Sequence, residues 1–431
     1  MGNYFDRLGA LTPEQRALLD ARLKKKGLGA AAAESEIGAP LTVPLPAAKT
    51  QQSPSPKASA QFNPKREMKF SLYFFSDDGS KPGPNKYGLL IEAARFADDN
   101  GFTAVWTPER HFQTFGGLYP NPSVVSAALA VMTNNVQIRA GSVALPLHHP
   151  ARVAEEWSVV DNLSNGRAAV SIASGWHRDD FVFAPSIYEK RKQVMFEYVE
   201  AIQRLWAGEE LEFEGASGAL VKTKILPRPI QPRLPIWVTT AGSPETWARA
   251  GEIGANVLAA LAGYSFSDLA DRIQMYRQSR ERYGHDPKAG TVSVMVHTYI
   301  GDDEDLVKRA VRAPMCWYLR SYFDQFQTMG AEDATDDDKN TVVAAAFEQY
   351  YDSTLLIGTP EKCRDLVDRL QQSDVDEVAC LIDFGLDQEV VLDGLVRLAA
   401  LRGQFSEERM GQHDLVSQAR VGLNFSPDGR D

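Results

Sequence analysis

Past Met68 the chain alternates short, nearly continuous apolar runs with longer stretches whose apolar residues recur at helical spacing. The apolar runs predict strands over Met68–Phe75, Thr103–Trp106, Val136–Leu145, Ala168–Ser174, Pro235–Thr239, Ala255–Ala260, Thr291–Ile300 and Glu377–Asp383. Helical spacing falls between them, for example over Tyr87–Asn100, Pro150–Leu163 and Tyr188–Trp206. Strands that alternate with helices in this way run parallel and are joined by crossovers. About eight such units predict an α/β chain closed into a (β/α)8 TIM barrel. An open, doubly wound sheet is the competing arrangement, and strand counting does not separate the two. The interval from Ile300 to Glu377 exceeds one crossover and predicts several helices and an acidic segment, Glu332-Asp333 and Asp336-Asp337-Asp338. Such an insertion late in the barrel is either a lid or binding loop, or a solvated excursion.

Residues 1–66 read differently from the rest. Thr12, Pro13 and Gln15 supply the cap, first-turn proline and capping-box partner of a helix, with Leu11, Leu18, Leu19 and Leu23 along one stripe. Lys24, Lys25 and Lys26 favour its C-terminal end, and Gly27 and Gly29 stop it. From Ala30 to Pro64 the Ala-, Pro- and Ser-rich composition predicts a flexible linker. The short helix can dock on a partner or pack on its own barrel. The expected organisation is an N-terminal extension (1–66), a barrel (67–403) and a C-terminal tail (404–431).

With 431 residues, 44% of them hydrophobic, the chain can bury one large core. Its formal net charge of -11 argues against general nucleic-acid binding, which draws on clustered Lys and Arg. Cys316, Cys363 and Cys380 are too few and too scattered for a disulfide framework. No apolar stretch resembles a signal peptide or membrane span, so a soluble cytoplasmic protein with no membrane partner is expected.

Function in a parallel barrel gathers at the C-terminal ends of the strands, and four such ends carry candidate chemistry. Trp106 is followed closely by Glu109, Arg110 and His111, an acid, a cation and an imidazole able to tune one another's protonation. A surface Glu–Arg pair is the plainer reading. Gly141 and Ser142 are small enough to let a flat ring approach the backbone. His148 and His149 lack a further ligand at metal spacing, so no metal is expected, and Pro150 starts a helix. Ser174, Gly175 and Trp176 leave a strand with a hydroxyl, an unobstructed amide and a ring. Thr240, Ala241, Gly242 and Ser243 lead into a helix whose N-terminus suits a phosphate, although serine before proline also begins ordinary helices. No G-x-S-x-G, Walker or dinucleotide fingerprint appears, which turns the reading from hydrolases, kinases and classical nicotinamide enzymes.

Leu145–Glu156 reads L-P-L-H-H-P-A-R-V-A-E-E and Val160–Arg167 reads V-D-N-L-S-N-G-R. With Pro227–Trp237, these segments resemble the L-P-x-x-H-P-x-R-x-A-E-E, L-D-x-L-S-x-G-R and P-x-P-x-Q-x-x-x-P-I-W patterns of bacterial luciferase-like flavin monooxygenases. The resemblance covers nearly all of residues 68–400. Ser174–Pro185, Thr240–Thr246 and Gly254–Leu258 are similar to the branch found in natural-product (non-ribosomal peptide and polyketide) assembly lines. The resemblance implies FMN, delivered as FMNH2 by a separate flavin reductase, reaction with O2 through a C4a-peroxyflavin, and a homodimer. It further implies hydroxylation at carbon or nitrogen of an aminoacyl or acyl chain on an acyl or peptidyl carrier protein. Position by position, the family's non-prolyl cis peptide under the isoalloxazine would fall at Gly141-Ser142, and the phosphate contacts around Ser174, Gly175, Gly242 and Ser243. Trp106 and Trp176 would wall the ring. Arg110 stands where luciferase has its catalytic histidine, with His111 beside it, and Ser174 stands where luciferase has a phosphate-binding arginine. A cofactor F420-dependent oxidoreductase of the same fold and a non-catalytic flavin-binding scaffold are the alternatives.

Overall fold

The computed structural model describes residues 67–75, 85–240, 242–262, 264–327 and 336–406. The expected N-terminal helix and linker, Ala241, Glu332-Asp333 and the end of the tail lie outside them.

Eight parallel strands close into a barrel. They are β1 (Lys69–Tyr73), β2 (Ala104–Thr107), β3 (Gln137–Ala144), β4 (Ala168–Ala173), β7 (Ile236–Thr240), β8 (Asn256–Ala260), β9 (Val292–Ile300) and β11 (Glu377–Leu381). The pairing of β8 with β9 completes the ring and removes the open-sheet alternative. Every predicted strand is present. Most of their residues are buried, whichever face they point to, which is why the strands read as apolar runs rather than as alternation.

The crossovers carry α1 (Gly88–Asp99), α2 (Pro122–Met132), α3 (Pro150–Leu163), α4 (Arg191–Ala207), α5 (Pro244–Glu252) and α6 (Phe266–Arg282). Helix α4 begins later than its spacing predicts, because Pro185–Lys190 winds first as a 3-10 turn. A small antiparallel hairpin, β5 (Leu211–Glu214) with β6 (Leu220–Thr223), escaped the sequence reading. Its strands are short and largely exposed, so they carry no apolar run.

The late insertion is helical. Helices α7 (Glu304–Gln327) and α8 (Asp336–Ser353) precede a short strand β10 (Leu356–Gly358) that adds to β9 outside the ring, and α9 (Pro360–Gln372) leads to β11. Asp336 and Asp337 open α8, where negative charge suits the helix dipole, and Asp336 pairs with Arg320 of α7. Helix α10 (Gln388–Arg402) closes the fold.

One core lies between strands and outer helices, with Leu72, Val105, Ile138 and Val170 meeting Ala94, Trp157, Leu205 and Leu395. A second fills the barrel and continues upward into the insertion: Trp106, Trp237 and Leu381 join Met315, Tyr318 and Phe347. Inside the barrel an ion pair is sealed, Arg139 donating to both Glu377 oxygens at 2.9 Å with its guanidinium 4.6 Å from Trp106 and 4.4 Å from Trp237. Such a pair is worth having only if every remaining group is satisfied. Glu377 also accepts from Ser71, which accepts from the Trp106 indole at 2.8 Å.

Candidate active site

The sequence-predicted site residues leave β2, β3, β4 and β7, which are consecutive in the ring, so one arc of the barrel mouth gathers them. Gly141-Ser142 in β3 is a non-prolyl cis peptide. A Cβ on Gly141 would lie 2.7 Å from Tyr73 Cε2 and 3.1 Å from Trp106 Cε3, so only glycine lets β3 pass this close. Tyr73 donates its phenol to the Gly141 carbonyl, and Ser142 meets Thr239, which also bonds Ser171 at 2.6 Å. These hydroxyls were missed because Ser171 and Thr239 sit within apolar strands, where only their period-two alternation with outward residues marks them as inward-facing.

Directly after β2, Glu109 is withdrawn completely from solvent. Its Oε2 accepts from the Ala144 amide at 2.7 Å. Its Oε1 meets Nε2 of His111 at 2.8 Å and Nε2 of His148 at 2.6 Å. Burial alone would raise its pKa, but the hydrogen bonds from His111, His148 and Ala144 outweigh it and hold the carboxyl at about 2. His148 loses basicity to burial and regains more from Glu109, so its pKa lies above the ordinary value. His148 is thus the partner of a buried carboxylate, and His149 caps α3 by accepting from the Ala151 amide at 3.3 Å. The acid, cation and histidine of this loop are buried, not an exposed Glu–Arg pair.

Arg110 turns away from that cluster into an aromatic wall, 4.5 Å from Trp176 and 5.1 Å from Phe75. Burial pulls its pKa to about 10, opposed by Asp180 and three tyrosines. Burial conversely raises the Asp180 carboxyl, against a bond from the His177 amide and the charge of Arg110. Tyr318 and Tyr322 of α7 extend the wall through Phe115 and Trp176. The insertion therefore covers the mouth rather than standing off in solvent.

Ser174, Gly175 and Trp176 are half-buried after β4. Ser243 occupies the N-cap position of α5, yet its side chain makes no capping bond. Trp106 is wholly buried beneath Gly141 with its indole turned down to Ser71, so it can floor a ring site but cannot flank one. One further group had no sequence signal: His297 of β9, across the ring from β3. It is 6% exposed, its Nε2 has no partner among the described residues, and burial lowers its pKa to about 3. Its ring stands edge-on to Tyr318 at 4.6 Å. Among the described residues no three His, Cys, Asp or Glu side chains group as metal ligands, and no helix is long and apolar enough to cross a membrane.

The family described as luciferase-like monooxygenase matches residues 68–377, the whole span that builds this mouth. The chain belongs to that family. Among curated relatives, the oxygenase component of the flavin-dependent trigonelline monooxygenase of Acinetobacter baylyi is 28% identical over 81% of this chain and 99% of its own length. The alkanal monooxygenase alpha chain of Photorhabdus luminescens is 25% identical over 67% of this chain and 81% of its own. In fold the chain is similar to the oxygenating constituent of 3,6-diketocamphane monooxygenase from Pseudomonas putida, solved with FMN, at TM-score 0.64 and 19% identity over 77% and 97% of the two chains. The protein is an enzyme of the luciferase-like, flavin-dependent monooxygenase type.

Proposed function

We propose that the mouth binds reduced FMN from a separate reductase and uses it with O2 to hydroxylate carbon or nitrogen of an aminoacyl or acyl chain carried on a carrier protein. The observation that carries the flavin half is the convergence of a glycine-flush strand at Gly141-Ser142 with the buried Glu109–His111 pair and the Arg110 wall. A bound reduced flavin supplies the electrons and activates O2. The chain's own residues do the rest.

Gly141 and Ser142 would carry the flat ring, with Trp176 at its edge. Ser174, Gly175, Thr240, Ala241, Gly242, Ser243 and the start of α5 would hold the phosphate, the free Ser243 hydroxyl being a donor that its own helix does not use. His111 would hold a proton near the reacting oxygen. Arg110 would present a cation from within apolar walls, where its field is little screened. Phe112 and Phe183 flank the His111 ring at 5.6 and 4.9 Å and keep water from it. A separate reductase fits the A. baylyi relative being one component of its system. The carrier-bound substrate rests on the likeness of Ser174–Pro185 and Thr240–Thr246 to assembly-line enzymes, which also motivates a homodimer.

The test is oxygenation of acyl- and aminoacyl-loaded carrier proteins with FMN, a reductase and NADH, read as a gain of one oxygen by mass. Loss of more than about tenfold in rate for His111→Ala at saturating FMNH2 supports its role, since positioned acid–base groups typically contribute 10²–10⁴-fold. A smaller loss removes it. Equal oxygenation of the free acids removes the carrier.

A further inference from the structure

The family pattern L-P-x-x-H-P fixes His149 and Pro150 but leaves open the position that His148 fills here. His148 nonetheless reaches the same Glu109 oxygen as His111, at 2.6 against 2.8 Å. An ionised carboxylate is acceptor-only. Each Nε2 that meets Oε1 must therefore carry the hydrogen, and a neutral imidazole protonated at Nε2 keeps its lone pair on Nδ1. Among the described residues Nε2 makes the only hydrogen bond of the His111 side chain, so Nδ1 is uncommitted.

We propose that His148 is a positioning residue: with the Ala144 amide it locks Glu109 so that His111 is held as the Nε2–H tautomer, with Nδ1 as the basic nitrogen offered to the reaction. The proposal rests on His111 acting in the mouth, as argued above. Three donors fix the carboxylate. Ala144 holds Oε2, while His148 and His111 share Oε1, so the carboxylate cannot turn to offer His111 a different geometry. Orienting partners of this kind set which ring nitrogen is available.

The charges around the trio are few. His148 faces Glu109 and Glu156 of α3, and Asp180 interacts electrostatically with Arg110, His111 and His177. The His148 side chain is itself one-third exposed and can exchange protons with solvent.

The test uses full-length protein labelled with 15N-histidine, whose seven histidines can be assigned from single variants. In the wild type His111 is expected as the Nε2–H tautomer at neutral pH, and His148 with a hydrogen on Nε2. In His148→Leu, His111 is expected to populate the Nδ1–H form, and His148→Gln, which keeps a donor, to restore the wild-type signals. With bound reduced FMN, the flavin-reoxidation pH profile is expected to change in His148→Leu and to return to that of the wild type in His148→Gln. His111 found as Nδ1–H in the wild type overturns the proposal, as do His111 nitrogen shifts or a pH profile unchanged by His148→Leu. A normal tautomer result together with an inert His111→Ala would instead strike only at the role of His111 in the reaction.

Discussion

Replacing Glu109 by glutamine should destabilise the protein at neutral pH and do so less and less as the solution is acidified. The carboxyl is fully buried and its pKa falls from 4.5 to about 2 on folding. At about 1.4 kcal/mol per pH unit, that difference makes the ionised carboxylate worth about 3 kcal/mol at pH 7. Removal of one partner from a buried ion pair typically costs about 3–5 kcal/mol, a similar size. The sign follows from the depressed pKa. The contribution is complete above the unfolded value of 4.5 and is lost as pH falls through about 2. By pH 3 some 2 kcal/mol of it should be gone, leaving a gap of about 1 kcal/mol between wild type and Glu109→Gln. Urea unfolding of both proteins from pH 7 to pH 3 measures the gap directly. A gap that does not narrow on acidification, or one below about 1 kcal/mol at pH 7, refutes the placement of Glu109 as an ionised hub.

His297 has the opposite logic, since it is neutral when folded and easily protonated when unfolded. Its pKa of about 3 against 6.5 means that wild type should lose about 2 kcal/mol between pH 8 and pH 5 from this side chain alone, a loss that His297→Leu abolishes while raising stability throughout. Differential scanning calorimetry across that range checks it, and parallel curves would sink the idea. Gly141→Ala forces a methyl into Tyr73 and Trp106, so a cost of about 1–3 kcal/mol and a fall of at least about tenfold in FMN affinity are expected. Flavin fluorescence titration reads the second, and wild-type affinity would separate Gly141 from the cofactor.

Much of the fold was legible because its strands are buried on both faces and so announce themselves as apolar runs, as at Val136–Leu145. The motifs that carried the family resemblance serve the scaffold more than the chemistry. Asp161 accepts from the Ile230 and Gln231 amides at 2.7 and 2.9 Å, tying α3 to the approach to β7. Arg167 collects the Ala130, Thr133 and Val136 carbonyls at the end of α2. Asn165 stands at a left-handed φ of 56, a conformation asparagine tolerates, just before Gly166. Partnerships were not legible. His148 lies 39 residues from Glu109 in sequence, and Arg139 lies 238 from Glu377, so their pairing depends on barrel closure that no local spacing encodes. His297 had no signal at all, because a lone histidine inside an apolar strand reads the same whether or not its nitrogens find partners. The hairpin β5–β6 was hidden for the reverse reason, its residues being too exposed to show a pattern.

The arc from Glu109 to Ser243 is the proposed site for reduced FMN that reacts with O2. The direct measurement is an anaerobic titration of the full chain with FMN, FMNH2 and reduced F420, followed by rapid mixing of the reduced complex with O2 under absorbance detection. Tightest binding of FMNH2 and a transient absorbing species between reduced and oxidised flavin are expected. Preference for F420, or a bound reduced FMN that does not react with O2, would rule this site out as a monooxygenase centre.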